Sequence, residues 1–90
     1  MINIAVSWTG IESDEIVMNA ARSIISRGNS TAYAQGKGHP FLYQNYASQE
    51  QDVFFSYGIE SQTRLREVSK KYDPYGVWQK LQPGYFKVFD

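Results

Sequence analysis

The chain contains no cysteine, one histidine and three prolines in ninety residues. Without cysteine there is neither a disulfide framework nor a thiolate metal site to reinforce a small fold. With one histidine, a zinc site would need carboxylates, and none cluster at ligand spacing, so no metal site is expected. Nine Lys/Arg cancel nine Asp/Glu, which leaves no long-range field to draw the chain to nucleic acid or to an anionic membrane. No apolar run approaches the roughly 20 residues of a bilayer span, and the N-terminus lacks the basic-then-apolar layout of a signal peptide. Gly36-Lys37-Gly38-His39-Pro40 is neither a P-loop nor a dinucleotide fingerprint. No serine stands in a nucleophile elbow. Hydrolase chemistry carried by these residues alone is not expected.

What the chain has in quantity is aromatic rings. Seven Tyr, five Phe and two Trp make up 16% of it, within a 42% hydrophobic total that excludes a disordered chain. A domain of this size buries only about 60% of the surface its unfolded chain exposes. So small an interior cannot hide so many rings, and the chain is expected to cover something larger.

Ile2, Ile4, Val6 and Trp8 alternate with Asn3, Ala5 and Ser7, the period of two of a half-buried strand. Thr9-Gly10 breaks it. Ser13 or Asp14 is placed to cap a helix, and Glu12, Asp14 and Glu15 are read as charges at its positive end, not as general acids. Ile16, Val17, Ala20, Ala21, Ile24 and Ile25 form a stripe of helical period, with Gly28 as its αL stop. Residues 29–40 are predicted as a loop with at most one short strand at Thr31–Ala34. His39, before Pro40, is read as a surface position. Asn29-Ser30-Thr31 matches a glycosylation acceptor in that loop and tilts the localisation, otherwise open, toward a secretory route.

Phe41 to Tyr46 is aromatic-rich and fits either a strand buried on both faces or an extended segment against a ligand. If it is extended, Tyr43 and Asn45 share one face and Tyr46 takes the other. Phenol and carboxamide groups there suit a polar substrate or the heteroatoms of a planar cofactor, and a tyrosine of depressed pKa is a possible general base. The competing reading is ring packing in a core. A second helical pattern carries Leu65, Val68 and Tyr72 and ends before Pro74. Tyr75 to Asp90, with Trp78, Tyr85, Phe86 and Phe89, reads as an irregular tail lying across other structure. The fold class expected is α+β: one sheet strand, two helices and an aromatic C-terminal segment. A lone strand needs neighbours for its backbone hydrogen bonds, so the sheet is expected to lie elsewhere and the chain to be a fragment.

Four stretches in order carry a resemblance: Phe41-Leu42-Tyr43-Gln44-Asn45-Tyr46-Ala47; Ser56-Tyr57-Gly58; Arg64-Leu65 through Lys71-Tyr72-Asp73-Pro74; and Gly76-Val77-Trp78-Gln79 with Pro83-Gly84. Together they resemble the C-terminal region of berberine-bridge-enzyme-like FAD-linked oxidases, within the vanillyl-alcohol-oxidase type of flavoprotein. The resemblance covers the chain from about Phe41 onward. It implies that residues 1–40 are part of a substrate domain and 41–90 the berberine-like segment. It further implies FAD as cofactor, a small-molecule alcohol, sugar or amine substrate, and an absent FAD domain as docking partner. Tyr43 and Tyr46 would be the catalytic candidates, with Asn45 and Tyr46 near the flavin. Trp78 stands where that family commonly has phenylalanine, and Tyr85 where a second glycine is common. The family's phosphate-binding loop and covalent flavin attachment residues are not in this chain, so the isolated chain is expected to be inactive. The alternative is a stand-alone non-catalytic binding module or an inactive truncated relic.

Overall fold

The structure is a computed structural model and describes residues 2–89; Met1 and Asp90, which belong to the expected first segment and the expected tail, lie outside the described residues. It divides into two units, 1–39 and 40–90.

The first unit is dominated by one helix. A 3₁₀ turn at Ile11–Ser13 leads into α1, Asp14–Ala34. Asp14 and Glu15 in its first turn oppose the positive end of the helix dipole. Asp14 also accepts a hydrogen bond from the Trp8 indole, Nε1 to Oδ1 at 2.7 Å. The helix does not stop at Gly28. An interior glycine costs only about 1 kcal/mol relative to alanine, and the residues after it keep helical hydrogen bonding. Ser30 and Thr31 fold their hydroxyls back onto the carbonyls of Ser26 and Arg27, both at 2.9 Å. The stop comes at Gly36, whose φ of 67° is left-handed. There the Lys37 N–H reaches the Ala32 carbonyl at 2.8 Å and the Gly36 N–H that of Tyr33 at 3.0 Å, the paired bonds of a Schellman end.

Three expectations fail in this unit. Ile2–Trp8 is not a strand, and among the described residues there is no strand at all. The fold class is therefore helical, not α+β. The alternation of residues 2–8 is present, but a strand exists only by exchanging backbone hydrogen bonds with another, and no second extended segment is paired with this one. The predicted loop and short strand at residues 29–34 are helical, which puts the Asn29-Ser30-Thr31 triplet on a helix instead of a loop.

Among its described residues the second unit holds three α-helices: α2, Val53–Ser56; α3, Ile59–Tyr72; and α4, Val77–Leu81. The predicted second helix is α3, and it ends before Pro74 as expected. Helix α2 packs on α3, and the tight turn between them uses Gly58 at φ 89°. Val53, 1% exposed, is the only fully buried large apolar side chain among the described residues. The predicted irregular tail contains α4, while residues 82–89 have no regular element.

Candidate functional site

The site is built from residues 41–57 and the α3–α4 corner. Residues 41–43 belong to no regular element, Tyr43 is extended, and the chain then winds into a 3₁₀ turn at Gln44–Tyr46. The turn changes the geometry expected of an extended strip. Tyr43 and Tyr46, three residues apart, come onto one side, their rings meeting edge to face at 5.3 Å between centroids. The Asn45 carboxamide donates to the Tyr43 phenol oxygen, Nδ2 to Oη at 2.8 Å. Neither tyrosine is buried: Tyr43 is 42% exposed and Tyr46 59%. Ring packing in a closed core thus does not account for this pair within the unit.

The segment is held from below by Ser56, one of two buried side chains among the described residues. Its Oγ accepts the Leu42 N–H at 3.0 Å and donates to the Val53 carbonyl at 2.5 Å. One hydroxyl therefore joins the aromatic strip to α2 using both its donor and an acceptor. Phe41 stacks on Tyr57 at 5.4 Å, and Phe54 meets Tyr57 edge to face at 5.9 Å. Asp52 caps α2, its Oδ1 accepting the Phe55 N–H at 3.1 Å.

The corner between α3 and α4 is set by Asp73. One carboxylate oxygen accepts the Val77 N–H at 2.7 Å and the other the Trp78 N–H at 2.9 Å. These are leading N–H groups of α4, which have no partner inside a helix. Gly76, in the left-handed region at φ 66°, lets the chain double back far enough for the carboxylate to reach them. The residues that follow are tied in as well. The Val88 N–H donates to Gln79 Oε1 at 2.9 Å, and its carbonyl accepts Arg66 Nε at 3.0 Å. Lys70 lies over the Phe89 ring at 5.8 Å.

Sequence reading identified Tyr43, Asn45 and Tyr46, and the structure brings all three together. It missed Ser56, Asp73, Arg66 and Gln79. Asp73 had a legible signal: Asp-Pro-x-Gly favours a side chain bonding its own backbone a few residues on. Ser56, Arg66 and Gln79 had none, since their partners lie 9 to 22 residues away in sequence.

The fit to FAD is limited to an edge. Asn45 and the two phenols offer donors and acceptors of the kind that meet ring heteroatoms. A phosphate cradle is not formed by Gly36 to His39. Gly38 sits against the Tyr33 ring, where a Cβ would collide with ring carbons, so its smallness serves packing. Among the described residues no group of three His, Cys, Asp or Glu side chains could hold a metal, and no helix is long and apolar enough to cross a membrane.

No family model and no solved structure matches the chain. Curated relatives do. It is 37% identical over 81 residues, 90% of its length, to the FAD-dependent monooxygenase tpcD of Cochliobolus heterostrophus, and covers 16% of that protein. It is 38% identical over 90 residues, 98% of its length, to the FAD-dependent monooxygenase sdcF of Emericella nidulans, and covers 19% of it. The chain is similar to one segment of FAD-linked flavoenzymes. It spans less than a fifth of the flavoenzymes tpcD and sdcF. The similarity reaches the level of FAD-linked flavoenzymes and does not single out the berberine-bridge or vanillyl-alcohol-oxidase type. One further relative has another name: oligopeptidase PhomG' of Diaporthe leptostromiformis, 36% identical over 87 residues, 94% of this chain and 7% of that protein.

Proposed function

We propose that the chain works as the C-terminal segment of an FAD-dependent oxidoreductase of the berberine-bridge-like type, lining the substrate and flavin edge with Tyr43, Asn45 and Tyr46. The observation that carries this reading is the 36–38% identity, over 90% or more of the chain, to several proteins each named FAD-dependent monooxygenase. Asn45 and Tyr46 would meet the edge of the FAD ring, and the cofactor would supply hydride acceptance toward an alcohol, sugar or amine substrate. The hard chemistry belongs to the cofactor. This segment orients the substrate and holds or takes a proton at a phenol oxygen. The Asn45 amide fixes the direction of the Tyr43 hydroxyl by occupying one of its lone pairs, and the Tyr46 ring supports Tyr43 from the side.

The test uses the full-length sdcF flavoenzyme with its matched segment exchanged for this chain. Its visible spectrum and intact mass report whether flavin is held. Tyr43→Phe and Tyr46→Phe then remove one hydroxyl each. At least one should lower kcat/KM by about 10²-fold, the size of a general acid–base contribution, with the flavin band unchanged. Full activity in both variants returns the tyrosines to a packing role, and isotope-labelled dioxygen distinguishes oxygen insertion from simple oxidation.

The second reading is a non-catalytic binding module. Its support is the similarity to a protein named for a peptidase, because a segment found in proteins of two named activities need not carry the chemistry of either. A flavin-bearing chimera whose rate is indifferent to all three residues favours it.

A further inference from the structure

We propose that Ser56 is a positioning residue for the group of Tyr43, Asn45 and Tyr46; this rests on the reading proposed above. Its hydroxyl holds the backbone immediately before Tyr43 and so fixes where the two phenols stand. The Ser56 side chain is 8% exposed, and a buried hydroxyl is tolerated where its hydrogen bonds are made. Here both go to backbone, accepting the Leu42 N–H at 3.0 Å and donating to the Val53 carbonyl at 2.5 Å. The Leu42 bond spans 14 positions of sequence and closes residues 42–56 into a loop on α2. The adjoining pair closes the same loop with rings, Phe41 stacked on Tyr57 at 5.4 Å. Two consecutive residues of the strip are thus registered against Ser56 and Tyr57, at the C-terminal end of α2.

The phenols depend on this hold because both are exposed, so close packing does not lock them as it would in a core. Their edge-to-face contact and the Asn45 bond are both internal to one short turn. These fix the shape of the group and leave its place to the backbone at either end. After the turn, Gln51 ties the chain locally: its Oε1 accepts the Ser48 N–H and its own N–H donates to the Ser48 carbonyl, both at 2.9 Å. Before the turn, the Leu42 bond crosses the whole loop, and it lies one residue from Tyr43. Catalysis by orientation tolerates little slack, since a displacement of about 1 Å costs up to about 10²-fold in rate. A hydroxyl that removes slack at this point acts on the rate through the tyrosines, without meeting the substrate.

One test needs no flavin. In NMR of the free chain, Ser56→Ala should lower the backbone order parameters of residues 43–46 from about 0.85 to below about 0.6, while α3 stays rigid. Ser56→Thr, which keeps the hydroxyl, should restore them. If Ser56→Ala loses its helical signal, Leu42→Pro makes the same cut from the donor's side, since proline has no N–H, and leaves the Ser56 bond to Val53 in place. The second test uses the sdcF chimera. Ser56→Ala should lower kcat about 10-fold or more with the flavin band unchanged. Added to whichever of Tyr43→Phe and Tyr46→Phe is impaired, it should cost less than about twofold further, as when one residue acts through another. Unchanged order at residues 43–46 in the folded variant overturns the proposal. So does a kcat loss as large in the impaired tyrosine background as in the parent chimera. Loss of order with full activity in Ser56→Ala, Tyr43→Phe and Tyr46→Phe alike supports Ser56 as the holder of the turn and counts against the functional reading alone.

Discussion

Replacing Asp73 by alanine removes both acceptors at the start of α4, which take the Val77 and Trp78 N–H groups at 2.7 and 2.9 Å. The helix has five residues, so two of its unpaired leading donors lose their partners at once. A single side-chain cap contributes about 1 kcal/mol, within a range of about 0.5–2. A charged acceptor raises that value, and the half-exposed position of Asp73 holds it down. Two bonds to one partly exposed carboxylate then come to about 2 kcal/mol of local stability. Such a loss multiplies the open population roughly 30-fold. Amide hydrogen exchange by NMR reads this directly, because local openings expose individual N–H groups. Val77 and Trp78 should exchange about 30-fold faster in Asp73→Ala. Asp73→Asn, which keeps one oxygen, should lose about 1 kcal/mol and speed exchange roughly fivefold. The backbone N–H of residue 73 donates to the Ser69 carbonyl at 2.8 Å, independently of its side chain, and serves as internal control. If Val77 and Trp78 exchange equally fast in wild type and Asp73→Ala, the carboxylate does not hold the corner.

Other substitutions test other parts of the structure. Gly28→Ala should stabilise α1 by about 0.8–1 kcal/mol, since a Cβ there meets nothing within 4 Å. Loss of helical signal in that variant would mean that the helix ends at Gly28 after all. Ser56→Ala strands the half-buried Leu42 N–H and should cost about 1–3 kcal/mol. Urea unfolding followed by tyrosine fluorescence measures it, and an unchanged midpoint would refute the clasp. Val53→Ala removes two methyl groups from the single fully buried apolar side chain of the described residues and should cost about 1.5–3 kcal/mol. A smaller loss than that of an exposed Val68→Ala control would deny Val53 its place in the core.

The two long helices were legible because a period of 3.6 is a property of the local sequence. The stripe from Ile16 to Ile25 and the pattern around Leu65 each define a face whatever surrounds them. Pro74 marked the end of α3 for an equally local reason, its clash with a helical preceding residue. Tyr43, Asn45 and Tyr46 were legible as chemistry, from residue type alone. Their arrangement was not, because an extended strip and a 3₁₀ turn place Tyr46 on different sides and the letters permit both.

What only the tertiary structure decided depends on partners distant in the chain, or on there being none among the described residues. The alternation of Ile2 to Trp8 states a willingness to be a strand, but strand formation is a pairing property and the described residues offer no partner. Gly28 is a permissive residue, and whether it stops a helix depends on whether the following turn finds hydrogen bonds, as Ser30 and Thr31 do. Ser56, Arg66 and Gln79 acquire their roles from Leu42 and Val88, across separations that no local pattern encodes. The excess of rings was visible in composition alone. Which rings are turned outward on a rigid support, Trp78 beside Leu81 over the Asp73 cap, was decided by the fold, because only the paired backbone determines where a side chain points.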